Sequence, residues 1–153
     1  ENVHTKDVTT EFGEFKLNVW RDVIFDEYHF SLTKGSPEKV DVPMVRVQTQ
    51  SVLQDTLGID EIGKKWSIRK SLQKIADEGT GVFVLINHRD AKTYWLSNLK
   101  DENIEPKKNR RVIGIGSQIL RAIGLNKIKV LGTPTKYSGL SGFNIEIEGF
   151  IDE

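Results

Sequence analysis

The stretch Ser67–Asn87, "SIRKSLQKIADEGTGVFVLIN", constrains the fold more than any other part of the chain. Ile68, Leu72, Ile75 and Ala76 fall at i, i+4, i+7 and i+8, which gathers them on one face of a helix. Gly79 follows where a left-handed residue closes a helix. The next run, from Val82, is continuously apolar, as in a strand covered on both faces. A helix turning back into a doubly covered strand points to a layered architecture of sheet and helices.

The remaining pattern agrees. "FKLNVW" (Phe15–Trp20) and "EYHFSLTKG" (Glu27–Gly35) read as strands, and "MVRVQTQ" (Met44–Gln50) as a third. The Gly, Ser and Pro content of Lys34–Pro43 predicts a loop. "GIGSQILRAIG" (Gly114–Gly124) predicts a second helix, followed by strands at Lys127–Gly132 and Phe143–Phe150. The expectation is one domain, α/β or α+β, with a mixed sheet and flanking helices, and 153 residues suffice for its core.

Composition removes several function classes. No run approaches the ~18 apolar residues of a membrane span, and the N-terminus has no apolar core of a signal peptide. Basic and acidic residues number 22 each, without the basic excess of a nucleic-acid binder. With no cysteine the chain forms neither disulfides nor thiolate metal sites. A cytoplasmic location is expected.

The candidate sites are few. Val45–Lys65 has the frame of a metal loop, a strand leading through a polar stretch into a helix, yet it holds no Cys or His. His4, His29 and His88 are scattered and read as structural or surface residues rather than metal ligands. "GIGSQI" has the glycines of a phosphate turn but follows a charged stretch instead of a strand. "PKKNRR" (Pro106–Arg111) sets Lys107, Lys108, Arg110 and Arg111 ahead of the second helix, either as solvated charge or as a phosphate-facing patch. Lys136, beyond the strand Lys127–Gly132, belongs to a loop of the kind that binds ligands in open α/β sheets.

The order of these pieces resembles the GTP cyclohydrolase II family over nearly the whole chain. "TEFGEFKLNVWRD" (Thr10–Asp22) is similar to its opening Thr-x-Tyr-Gly-x-Phe hairpin. "PMVRVQTQSVLQDTLG" (Pro43–Gly58) resembles its Pro-Leu-Val-Arg-Val-His-Ser-Glu-Cys-Leu-Thr-Gly-Asp segment. "LQKIADEGTGVFVL" (Leu72–Leu85) and "GIGSQILRAIGLNKIKVL" (Gly114–Leu131) resemble two further blocks. The resemblance implies a zinc enzyme that opens the imidazole ring of GTP, releasing formate and pyrophosphate at the start of riboflavin biosynthesis.

Its catalytic residues do not carry over. The family's zinc cysteines, spaced Cys-x(10)-Cys-x-Cys, fall on Ser51, Ile62 and Lys64. A hydroxyl, an alkyl chain and an ammonium do not replace thiolates. Where the family has a glycine- and arginine-rich nucleotide signature, this chain reads "NHRDAKTYW" (Asn87–Trp95). The family's Asp-x-Arg pair falls on Asn109 and Arg111, and an amide does not act as a general base. Arg111 is the residual catalytic candidate, and Arg46, Arg111 and Lys136 are the ligand-binding candidates that the resemblance leaves.

Many family members follow a 3,4-dihydroxy-2-butanone 4-phosphate synthase domain. The expectation is therefore a linker remnant over residues 1–8 and a cyclohydrolase-II-like domain over 9–153. That domain would have no zinc or other cofactor and no cyclohydrolase activity. It would form a homodimer and support or regulate the synthase. The alternatives are a sensor that weakly binds a nucleotide or phosphate, and a metal-free enzyme acting on GTP. No nucleic-acid or membrane partner is expected.

Overall fold

The computed structural model describes residues 1–59, 65–87, 96, 99, 106–132 and 144–152, with the side chains of 106–110 left aside. Its strands are β1 (Asn2–Thr10), β2 (Gly13–Asp22), β3 (Glu27–Lys34), β4 (Met44–Thr49), β5 (Gly81–Ile86), β6 (Lys127–Leu131) and β7 (Glu146–Ile151). Its helices are α1 (Ile68–Glu78) and α2 (Pro106–Ile123). The strands form one seven-stranded sheet in the order β1-β2-β3-β5-β4-β6-β7. β1, β2, β3 and β5 pair antiparallel, while β5, β4, β6 and β7 run parallel.

Helix α1 forms as its periodicity predicts. Ser67 caps it, its side chain accepting from Lys70 N–H at 3.1 Å, and Gly79 ends it at φ 84°. Leu72 and Ile75 pack on Phe83 and Leu131 on one face of the sheet, with Phe15, Met44 and Trp66. The other face carries α2. Its Ile119 and Leu120 pack on Val45, Val82, Val84, Ile128 and Val130. The period-2 alternation of β5 thus feeds two cores, which explains its lack of polar residues.

Three sequence expectations change. Residues 1–8, read as linker, pair with β2 as edge strand β1. Most of them are exposed, so backbone pairing places this strand and leaves no apolar alternation to read. Helix α2 begins at Pro106, not near Gly114, so "PKKNRR" forms its first turns rather than a preceding loop. Proline suits a first helical position because its missing N–H has no partner there anyway. Gly114 and Gly116 are therefore helix interior, not a phosphate turn. A Cβ on Gly116 would meet Val47 Cγ1 at 2.7 Å, so the glycine lets α2 approach β4. The last strand starts at Glu146, later than expected.

Among the described residues no helix is long and apolar enough to cross a membrane.

Candidate functional site

β4 leads through α1 to β5 on one side, and β5 leads through α2 to β6 on the other side of β4. The two helices cover opposite faces, so the connections diverge at the carboxyl ends of β4 and β5. In open α/β sheets such a divergence leaves the crevice where ligands bind.

At this edge the chain leaving β4 is Gln50 and Ser51. Ser51 Oγ accepts from Gln54 N–H at 3.3 Å, and Ser51 N–H donates to Asp55 Oδ2 at 2.8 Å. This reciprocal arrangement holds the turn Val52–Thr56 as a capping box holds a helix start. Ser51 and Gln54 are buried. Hydrogen bonds thus fasten the loop where the resemblance implies its first zinc ligand. Positions 62 and 64 lie outside the described residues.

β3 begins beside the end of β5, and its first residues bring a second group. Glu27 and His29 are only 5 % and 1 % exposed. His29 Nδ1 accepts from Asn87 N–H at 3.0 Å, so the neutral ring carries its proton on Nε2, 3.9 Å from Glu27 Oε1. The Arg111 guanidinium, 84 residues away in sequence, pairs with that same carboxylate oxygen and lies 4.1 Å above the Phe25 ring. Asp22, Glu27 and His29 place their ligand-type atoms within 4.8 Å of one another. With Arg111 on Glu27, however, the cation of this cluster is a guanidinium, and a metal ion would face its charge.

Arg46 lies on the α1 face. Its Nε donates to Gln48 Oε1 at 2.7 Å, Nη1 to the Leu131 carbonyl at 2.9 Å and Nη2 to the Trp66 carbonyl at 3.3 Å. It ties β4 to the end of β6 and to the approach of α1. Arg46 and Arg111 therefore serve opposite faces and do not meet on one anion. Lys136, Ile62, Lys64, His88 and most of Asn87–Trp95 lie outside the described residues, as do the side chains of Lys107, Lys108, Asn109 and Arg110. His4 is exposed on β1. The Glu27–His29 pair escaped the sequence reading. Its signal was the alternation of Glu27, His29, Ser31 and Thr33 on one face of a strand, all of them buried here.

The comparisons with known proteins bear on this geometry. A family model described as GTP cyclohydrolase II matches residues 1–152. The chain belongs to the GTP cyclohydrolase II family. Among curated relatives, a 3,4-dihydroxy-2-butanone 4-phosphate synthase of Pseudomonas aeruginosa is 29 % identical, over 99 % of this chain and 43 % of the relative. One of Neisseria meningitidis serogroup B is 32 % identical, over 98 % and 42 %. A riboflavin biosynthesis protein RibBA of Cytophaga hutchinsonii is 30 % identical, over 92 % and 38 %. A solved structure, of RibBX, a two-domain 3,4-dihydroxy-2-butanone 4-phosphate synthase from A. baumannii, matches with TM-score 0.67 at 26 % identity, over all of this chain and 40 % of that one. The chain thus spans less than half the length of these relatives. It is a cyclohydrolase-II-like domain of the riboflavin-biosynthesis family, with the mixed sheet that the resemblance implied.

Proposed function

We propose that this domain has lost zinc and cyclohydrolase activity, and that it supports or regulates a 3,4-dihydroxy-2-butanone 4-phosphate synthase domain in the same polypeptide. The observation that carries the reading is the chemistry of the family's zinc positions. Ser51, Ile62 and Lys64 offer no thiolate, and the Ser51 hydroxyl serves as a hydrogen-bonding cap. A bound metal makes water a potent nucleophile at neutral pH, and this loop lacks the thiolates that would hold one. Asn109 is no general base, and Arg111 is engaged by Glu27. The short coverage of relatives that are themselves named synthases supports the second half of the reading.

A second reading, weak binding of a nucleotide or phosphate, has one observation in its favour. Arg111 Nε is buried without a hydrogen-bond partner among the described residues, so one donor of that guanidinium is unused. An anion there would still compete with Glu27 for the arginine.

The test compares synthase turnover of the full polypeptide with that of a version ending before Glu1. The reading expects a several-fold lower rate in the shortened protein. Equal rates would show that the domain gives the synthase no support.

A further inference from the structure

Hairpin connections favour Gly, Asn, Asp and Pro, because those residues fit turn backbones and water. The β2–β3 connection keeps one such residue, Asp26 at φ 49°, and is otherwise apolar. Val23, Ile24 and Phe25 occupy it, at 64, 88 and 44 % exposure. Tyr28 on the adjoining strand is also exposed. Adjacent exposed apolar side chains are a mark of an interaction surface.

The tip is also held in shape. Asp22 Oδ1 accepts from the N–H groups of Ile24 at 3.0 Å and Phe25 at 3.3 Å. Arg21 bridges Asp26 at 3.0 Å across the base of the loop. The Phe25 ring rests against the Arg111 guanidinium. A fixed apolar tip loses little conformational freedom on docking.

The start of the chain indicates what docks there. Glu1 pairs with Arg21 through the backbone: its nitrogen lies 3.2 Å from the Arg21 carbonyl, and Arg21 N–H donates to the Glu1 carbonyl at 2.8 Å. Any segment joined at Glu1 therefore emerges beside the hairpin tip. The P. aeruginosa relative devotes only 43 % of its length to the part matched here, which leaves room for another domain. A second copy of this chain fits the tip less well. The cleft of about 480 Å³ described in the domain lies at the other end of the parallel strands and is lined by Glu38, Lys39, Asp41 and Lys127. Pro37, Val40, Pro43 and Leu125 share that lining, so an apolar tip entering it would also bury charge there.

We propose that the Val23–Phe25 tip is the docking surface for the synthase domain joined ahead of Glu1. This rests on the reading above that such a domain is attached. Because Phe25 touches Arg111, and Arg111 holds Glu27, the docked tip also adjoins the crevice at the carboxyl ends of β4 and β5.

The test uses the full polypeptide and the absence of cysteine from this domain. Ile24→Cys and, separately, Val40→Cys at the far end of the sheet are labelled with a maleimide. Labelling is read at these positions by peptide mass spectrometry and scaled to the rate of each in urea. Ile24 is far more exposed than Val40 in the isolated geometry. Docking reverses that order, with Ile24→Cys slower by at least about tenfold, as for a docked state populated ~90 % of the time. Labelling of Ile24→Cys at the Val40→Cys rate or faster, with synthase turnover intact, overturns the docking alone. Protection that vanishes on dilution assigns the tip to a second copy and also overturns it. A full polypeptide with no synthase turnover overturns both the docking and the reading beneath it.

Discussion

Arg111 is the residue on which the two histories of this domain meet. Its family position implies catalysis, while its contacts here are those of an ion pair with a buried carboxylate. Glu27 is almost sealed from water, and the Arg111 guanidinium pairs with its carboxylate there. Removing one member of a buried pair typically costs about 3–5 kcal/mol. Arg111 is partly exposed, so Arg111→Ala is expected near about 3 kcal/mol, the lower end of that range. Glu27→Gln combined with Arg111→Ala should recover a large part of the loss, because no buried carboxylate is left without a cation. Urea midpoints of the two single variants and the double variant give the coupling directly. Additive losses would mean that the pair is not energetically coupled. The sequence makes the charge of Arg111 legible, and it makes the absence of thiolates at Ser51, Ile62 and Lys64 unambiguous. It does not reveal Glu27 as partner, because 84 residues and a change of element separate the two.

The helices differ in how openly their sequences announce them. α1 has an apolar stripe, a serine cap and a terminal glycine, and each feature acts as the pattern predicts. The first turns of α2 have no apolar stripe, and its interior glycines look like an opening because glycine is a poor helix former. The use of Gly116 is tertiary: it admits the Val47 side chain of β4 to close range. Gly116→Ala should therefore destabilise the domain by about 1–3 kcal/mol through overpacking, despite alanine's better helix propensity. Shortening the opposing side chain with Val47→Ala should recover part of that loss. Thermal unfolding of the two variants and their combination distinguishes this from a simple propensity effect, in which Gly116→Ala alone would stabilise. β1 was hidden for a different reason. An exposed edge strand held by its backbone has no hydrophobic period, so it reads as linker.

At the scale of the whole molecule, the fold is the family's, and the loss of the family's chemistry at its crevice is the proposal to be tested. Strand order could not be read along the chain, since β5 and β6 insert on either side of β4. That insertion creates the crevice, and around it stand a capping serine, a histidine held by a backbone N–H and an arginine held by a carboxylate. Each of these groups has a partner from within the domain on one of its polar atoms, as suits a scaffold, while Arg111 Nε keeps an unused donor among the described residues. The most direct measurement is formate release from GTP by the full polypeptide, purified without chelator and supplied with zinc. No release above a protein-free control is expected at any zinc concentration. Formate production that rises with zinc and is lost in Arg111→Ala would contradict it.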